Sequence, residues 1–303
     1  MSKISVKGGG MYGCVVTEFL QECGHKVTLH ETADRILSGA SFDNFRRLHA
    51  GWHYPLSMET ARECSMAHDE FVERYASYTY PMQTRYWIAE GSNVPSQQYL
   101  DFAWSLDPSG SRFEAIPNPW DLNNVETGIE VTEFMYDVLG LRDYFENKFK
   151  ISNKPPDKSS FVIDCTYTNS PLVKKCEHKS ATILRLDAKL PNIAQTVLYG
   201  PYCGVIPAIE GGFFFYHAKY QTADKMLEDG KRFFPELAKA TVLDVRHMTH
   251  VRPPSAQDHR PYLIEQTNEN TICVLGGKIA QSIDCAQRVA GKVKRLGIMP
   301  DKG

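Results

Sequence analysis

The 303-residue chain contains no CxxC pair, no apolar run as long as a membrane span, no internal repeat and no low-complexity tract. Its eight cysteines (Cys14, Cys23, Cys64, Cys165, Cys176, Cys203, Cys273 and Cys285) are scattered. That spacing excludes a zinc ribbon or a thioredoxin-like pair, so no metal is expected, and thiols inside apolar segments act as small hydrophobes in a reducing compartment. No charged-then-apolar leader opens the chain, so a cytoplasmic location is expected, with no membrane partner. Neither charge dominates: 34 basic residues stand against 36 acidic ones, for a net charge of −2. That balance gives no general argument for nucleic acid, although residues 148–158 and 174–189 are mildly basic. With 42% hydrophobic and 23% charged residues the composition is ordinary for a globular protein of one large or two modest domains.

The chemistry concentrates in the first fifty residues. Ile4-Ser5-Val6-Lys7 reads as a strand, Gly8-Gly9-Gly10-Met11-Tyr12-Gly13 follows at once, Val15 to Cys23 is an apolar helix, and Lys26 to Glu31 is a second strand ending in an acid. This order is a βαβ dinucleotide-binding unit. Gly8 permits the tight turn, Gly10 lets the backbone approach a pyrophosphate, and Gly13 lets the helix pack on the sheet. The free N–H groups around Met11, Tyr12 and Gly13 face the phosphates. Glu31 is placed to accept the hydroxyl protons of a ribose.

Further along, Met58 to Ala76 carries apolar residues at helical spacing, Thr84 to Ala89 reads as a strand, and Ser96 to Leu106 as a helix. Asp107 to Gly110 and Pro117-Asn118-Pro119 are turns, and Thr132 to Phe149 reads as one helix. A polar linker, Ser152 to Asp157, leads into the buried strand Phe161 to Cys165. Several strands lie between Ala181 and Tyr220, and a helix is expected from Ala223 to Ala238. The strand Thr271 to Leu275 ends in Gly276-Gly277 and opens a helix from about Ile279. That repeats the logic of the first unit and offers a second set of free N–H groups, a routine βα turn being the alternative.

Three separated blocks then resemble the D-amino-acid oxidase and glycine oxidase superfamily of FAD-dependent oxidoreductases. They are the βαβ unit with Ser38-Gly39-Ala40-Ser41, Asn44, Arg47-Leu48-His49 and Gly51 to Pro55; the strand Phe161 to Thr168; and Arg252-Pro253, Asp258, Arg260-Pro261-Tyr262 with Val274 to Lys278. The resemblance implies an α/β fold: a Rossmann-like FAD-binding domain of the glutathione-reductase type, with an interleaved α+β substrate domain built on an antiparallel sheet. It implies a discontinuous FAD domain of residues 1–57, 155–175 and 250–303, and a substrate domain of residues 58–154 and 176–249. It places FAD against Gly8, Gly10, Met11, Tyr12, Gly13, Glu31, Ser38, Ala40, Ser41, Asn44, Arg47, Leu48, His49, Thr166, Gly276, Gly277, Lys278 and Ile279. One departure is Thr166-Tyr167 where the family usually has Thr-Gly, which questions the close backbone approach there.

The implied reaction is oxidation of a C–N bond of an amino acid or amine, glycine-like or D-configured, by hydride transfer to the flavin with oxygen as acceptor. The cofactor carries the redox chemistry, and the protein supplies orientation and electrostatics. An arginine fork suits a substrate carboxylate, with Arg252 as first candidate and Arg260 as second. Lys278 sits at a helix start, where a cation opposes the dipole, so it is expected near an anionic group or else in solvent. His49 and His53 flank Gly51 in a segment expected to line the flavin, with His53 as a catalytic candidate; core or surface histidines are the alternative. Tyr216 is a candidate for the floor of the substrate pocket. Three other readings stand beside the first: the same oxidation on a glycine or aminomethyl group carried by a modified nucleotide, a hydroxy-acid or glycerol-phosphate dehydrogenase, and a non-catalytic flavin-binding protein.

Overall fold

The computed structural model describes residues 3–117, 122–254 and 261–300. In chain order its elements are β1 (Ile4–Lys7), α1 (Met11–Glu22), β2 (Val27–His30), α2 (Ala40–Asp43), β3 (Arg47–Leu48), α3 (Met58–Arg74), β4 (Thr79–Ala89), α4 (Ser96–Leu106), β5 (Phe113–Pro117), β6 (Val125–Tyr136), α5 (Val138–Lys148), β7 (Ile151–Ser152) and β8 (Phe161–Asp164). They continue with β9 (Glu177–Asp187), β10 (Ala194–Leu198), β11 (Tyr202–Pro207), β12 (Phe213–His217), α6 (Ala223–Gly230), β13 (Thr241–Arg252), β14 (Leu263–Asn268), β15 (Thr271–Leu275) and α7 (Ser282–Arg295).

Two sheets result. The first has the order β14-β15-β8-β1-β2-β7. All its pairings are parallel except β14 with β15. Its central strands are short apolar runs whose inward residues Ile4, Val6, Ile163, Ile272 and Val274 are buried, as a sheet covered on both faces requires. The apolar side chains Cys14, Val15, Val16 and Leu20 of α1 share that core with Ile283, Ala286, Val289 and Val293 of α7. From β1 the chain passes to β2 on one side, while β8 pairs on the other, so the crevice for a ligand opens at the carboxyl end of β1.

The second sheet has nine strands in the order β13-β9-β12-β11-β10-β4-β6-β3, with β5 also on β6. Only β10 with β4 is parallel. Thus the fold is the mixed α/β architecture expected, and the first sheet is assembled from the beginning, middle and end of the chain.

Several local expectations need correction. Residues 132–149 are not one helix: β6 alternates buried and exposed positions through Tyr136. Asp137 then accepts the N–H groups of Leu139 and Gly140, both at 3.0 Å, and starts α5. The helix expected to Ala238 ends at Gly230, and Pro235 begins a separate 3-10 turn. Strands β13 and β14 were not anticipated. The helix after Gly276-Gly277 begins only at Ser282, so its N–H groups do not lie at the glycine turn. Asn118 and Pro119 of the proline turn, and Asp258 and Arg260, lie outside the described residues.

Candidate cofactor and active site

A cavity of about 320 Å³ begins in the crevice at the carboxyl end of β1 and runs between the two sheets. Five segments wall it: Gly8 to Tyr12, Glu31 with Ala33, Ser38 to Ser41 with Asn44, Cys165 to Thr168, and Val274 with Gly276 to Ile279. A sixth, Met248-Thr249-His250, comes from β13 in the other sheet.

The glycines show which wall is open. A Cβ on Gly13 would lie 1.8 Å from the Gly8 carbonyl oxygen, so this glycine serves the contact between α1 and β1 beneath the cavity rather than its lining. Among the described residues, a Cβ on Gly10 would meet only the Ser41 hydroxyl, at 3.6 Å, and one on Gly39 or Gly277 would meet nothing within 4 Å. These three faces are therefore free for a ligand. No side chain caps α1 at Gly10; the Met11 N–H donates to the Ser41 hydroxyl at 3.0 Å. The remaining first-turn N–H groups have no place in the helix ladder, which is the arrangement that receives a phosphate.

Glu31 stands just past β2. Its Oε1 accepts the N–H groups of Thr32 at 2.7 Å and Ala33 at 2.9 Å, while Oε2 accepts that of Gly9 at 2.6 Å. The carboxylate is thus fixed in position before any ligand arrives, and Oε2 keeps a lone pair for a ribose hydroxyl. At Thr166 the hydroxyl donates to Asp164 at 2.6 Å, and Asp164 pairs with Lys7 at 3.3 Å. Tyr167 resolves the departure noted in the sequence. It adopts φ +53°, the left-handed backbone a glycine would take, and its hydroxyl accepts the Val251 N–H at 3.0 Å. The backbone route along the cavity is kept, with the ring turned to brace β13. Burial raises the Tyr167 pKa, against the lowering effects of the Val251 N–H and of nearby Arg252.

Tyr12 has a role that its position in the glycine motif does not announce. Its hydroxyl donates to the Lys278 carbonyl at 2.8 Å, and its ring fills the space where Gly276 would need a Cβ. It ties the first glycine turn to the last. A glycine facing a tyrosine across 264 residues of chain leaves no local signal.

Other expected residues are elsewhere. Arg47, Leu48 and His49 do not line the main cavity; with Cys64, Lys278 and Gln281 they border a separate one of about 10 Å³, room for one water. Arg47 turns into the second sheet, where its Nε donates to Glu133 at 2.6 Å and one terminal nitrogen to Thr196 at 3.1 Å. Glu133, fully buried, also accepts the Tyr86 hydroxyl at 2.8 Å and the Ala50 N–H at 2.7 Å. Burial works against the Arg47 charge, but Glu133, with the Tyr86 and Tyr216 hydroxyls, more than offsets it and raises the pKa. Arg47 is therefore a sheet ion pair rather than a wall of the cofactor cavity.

Tyr216 joins the same network, its hydroxyl 2.9 Å from that of Thr196, with Phe45 packed 4.4 Å away. The His49 and His53 rings meet edge to face at 4.4 Å, with His53 4.0 Å from Tyr54. His53 does not line the main cavity. Lys278 lines that cavity, and its side chain is buried, with Nζ 5.1 Å from the Tyr54 ring and close enough to Cys64 to act on its thiol. Arg252 ends β13 opposite Glu177, two residues beyond the His250 wall. Met248, Thr249 and His250 were missed entirely, because the apolar residues Val242, Val245, Met248 and Val251 stand three apart and do not alternate as a strand face would. Among the described residues no group of three histidine, cysteine, aspartate or glutamate side chains is placed to hold a metal, and no helix is long and apolar enough to cross a membrane.

Comparison with known proteins meets this geometry. Residues 3–117 match the family model DAO, FAD dependent oxidoreductase. Over that stretch the chain is similar to FAD-dependent oxidoreductases of the DAO family. The chain superposes on the crystal structure of L-proline dehydrogenase from P. horikoshii with a TM-score of 0.74 at 14% identity, covering 97% of this chain and 93% of that one. With glycine oxidase from Geobacillus kaustophilus the TM-score is 0.71 at 12% identity, covering 99% and 98%. At these identities the likeness is one of fold. The chain is 27% identical over 234 residues to the FAD-dependent monooxygenase FPY4 of Fusarium mangiferae, a match covering 70% of this chain and 62% of that protein. The cofactor is FAD, as the matched family model names it, and the open glycine faces, the first turn of α1 and the fixed Glu31 carboxylate are the residues that fit it.

Proposed function

We propose that this protein oxidises the C–N bond of an amino acid or small amine, with oxygen as the electron acceptor. The observation that carries the reading is the meeting of the two sheets at one cavity. The crevice that suits FAD ends against Met248 to His250, on a strand that continues to Arg252. Bound FAD supplies the two-electron acceptor. The chain's own part is to hold a substrate against it: Arg252 offers a fork for a carboxylate, braced through Val251 by Tyr167. Lys278 contributes a buried positive charge beside the last glycine turn. The Arg47–Glu133–Tyr86 network stiffens the sheet beneath. In this reading the cofactor domain (residues 1–57, 155–175 and 250–303) holds the first sheet apart from β7, the substrate domain (residues 58–154 and 176–249) holds the second sheet apart from β3 and the end of β13, and the eight unpaired thiols suit a reducing, cytoplasmic compartment.

The similarity to a protein named as a monooxygenase supports a second reading, in which oxygen enters the product instead of leaving as peroxide. Product analysis separates the two. Incubation with glycine, sarcosine and the two enantiomers of proline and alanine should yield an oxo acid or imine product with stoichiometric peroxide. Labelled oxygen retained in an organic product would replace the first reading by the second. Loss of neither substrate nor oxygen with any amine would refute both.

A further inference from the structure

We propose that the substrate carries an oxyanion group, carboxylate or phosphate, away from the reacting bond, and that Arg46, Arg185 and Arg246 read it at the rim of the cavity. This rests on the oxidoreductase reading above and names the substrate class it would take.

The three arginines come from separate parts of the chain. Arg46 follows α2, is 3% exposed, and is held at φ +57°. Arg185 lies on β9 and Arg246 on β13, adjacent strands of the second sheet. The guanidinium carbons of Arg46 and Arg246 stand 4.7 and 5.5 Å from the centre of the Phe42 ring. Phe42 lies between Ser41 and Asn44, which line the cofactor cavity, and Arg246 is two residues from Met248, which also lines it. None of the three lines the cavity itself; Arg246 lies roughly 7 Å along the strand from its wall, and Arg46 shares Phe42 with it.

Each guanidinium is only partly satisfied. Arg46 pairs through one terminal nitrogen with the Glu210 carboxylate, Arg185 donates to the Glu210 and Gly211 carbonyls at 3.1 and 3.2 Å, and Arg246 Nε donates to Asp244 at 2.9 Å. Arg46 Nε, Arg185 Nε and one terminal nitrogen of Arg246 are buried with no hydrogen-bond partner among the described residues. A single orphaned donor of this kind is a cost that folded proteins rarely carry. Three on neighbouring guanidinium groups make a site for a planar or tetrahedral oxyanion, which arginine forks match in geometry and charge.

Glu210 indicates what such a group does there. It sits on the hairpin between β11 and β12, its side chain one-third exposed at 33%, and presents its carboxylate to the most buried of the three arginines. A protein carboxylate on this turn, where Gly211 and Gly212 both have positive φ, occupies the place a ligand oxyanion would take. A substrate anion would share or displace it.

The test uses the FAD-loaded protein and calorimetry, with flavin absorbance as second readout. Straight-chain dicarboxylates from succinate to pimelate are compared with monocarboxylates of equal length, and with the matching ω-phosphonates. At least one oxyanion-terminated ligand should bind about ten- to hundredfold more tightly than its monocarboxylate match, the difference one or two charge-assisted hydrogen bonds make. Whether carboxylate or phosphonate binds tighter identifies the group. Arg246→Met and Arg185→Met should each erase most of the advantage without changing monocarboxylate affinity or FAD content, and Glu210→Gln should enlarge it. Equal binding of every matched pair, or an advantage that survives both methionine variants, overturns the proposal. If monocarboxylates perturb the flavin spectrum without such discrimination, the rim proposal alone fails. If no ligand perturbs it, the carboxylate-substrate reading fails as well.

Discussion

Gly10 and Gly13 stand three residues apart in one motif, yet the structure assigns them opposite sensitivities. At Gly10 the backbone has φ −73° and ψ 178°, which any residue adopts, and an added Cβ meets only the Ser41 hydroxyl at 3.6 Å. Gly10→Ala should therefore fold normally, and its apoprotein should be as stable as the parent or gain about 0.4–1 kcal/mol from a less flexible unfolded chain. The methyl group instead projects toward the space where phosphate oxygens approach α1. Keeping a pyrophosphate from one or two backbone N–H groups removes charge-assisted hydrogen bonds of about 1.5–3 kcal/mol each, or roughly ten- to hundredfold in FAD affinity. At Gly13 the added Cβ falls 1.8 Å from the Gly8 carbonyl, so α1 must move off β1. Gly13→Ala should lower stability by about 1–3 kcal/mol, roughly 2–12 °C in melting temperature. Thermal melts of the apoproteins and fluorescence titration with FAD measure both quantities. Parental FAD affinity in Gly10→Ala, or equal destabilisation by the two substitutions, would refute the assignment of the open glycine face to the phosphates.

Two other consequences concern the second sheet. His217 has a fully buried side chain; its Nδ1 accepts the N–H groups of Lys219 and Tyr220 at 3.1 and 3.2 Å, and Nε2 faces Asp229 at 2.9 Å. Burial lowers its pKa more than Asp229 raises it. The unfolded chain takes up this proton near pH 6.5 and the folded chain only further down, so stability is complete above about pH 6.5 and falls by up to about 1.4 kcal/mol per unit as pH drops toward the folded value. Urea melts between pH 7.5 and 5 should show this slope flattened in His217→Asn; an unchanged slope would assign it to other groups. Glu133→Leu should cost about 3–5 kcal/mol by leaving Arg47 buried and unpaired, and Arg47→Met with Glu133→Leu should recover most of it. Thermal melts measure that recovery, and FAD affinity should be parental in the double variant. A large loss of FAD affinity there would return Arg47 to the cofactor site.

The parts legible in the sequence are those whose physics is local. The spacing of Gly8, Gly10 and Gly13 between two strands, with Glu31 closing the second, states a turn, an open face and a close contact, and each is found. The apolar runs of β8 and β15 likewise announce a covered parallel sheet. What was not legible depends on distant partners. Arg47 looked like part of the cofactor segment because its ion-pair partner, Glu133, is 86 residues away. The wall formed by Met248, Thr249 and His250 belongs to an edge strand with polar residues on both faces, which weakens the period-two signal. At Tyr167 the sequence read a lost glycine, whereas the chain keeps the left-handed turn and fixes it through Val251. The region read as one helix from 132 to 149 has apolar residues compatible with both periods, and the capping aspartate at 137 marks where one gives way to the other.

In the proposed reaction a substrate C–N bond delivers two electrons to FAD held between Gly8 and Lys278. Anaerobic titration of the FAD-loaded protein with amino acids and amines, beside hydroxy acids, glycerol phosphate and glycyl-nucleosides of the same chain length, tests it most directly. An amino acid or small amine should bleach the flavin band with one substrate consumed per flavin, and Arg252→Met should raise the concentration needed without lowering the final extent. Bleaching by a hydroxy acid or glycerol phosphate while every amine leaves the flavin oxidised would contradict it.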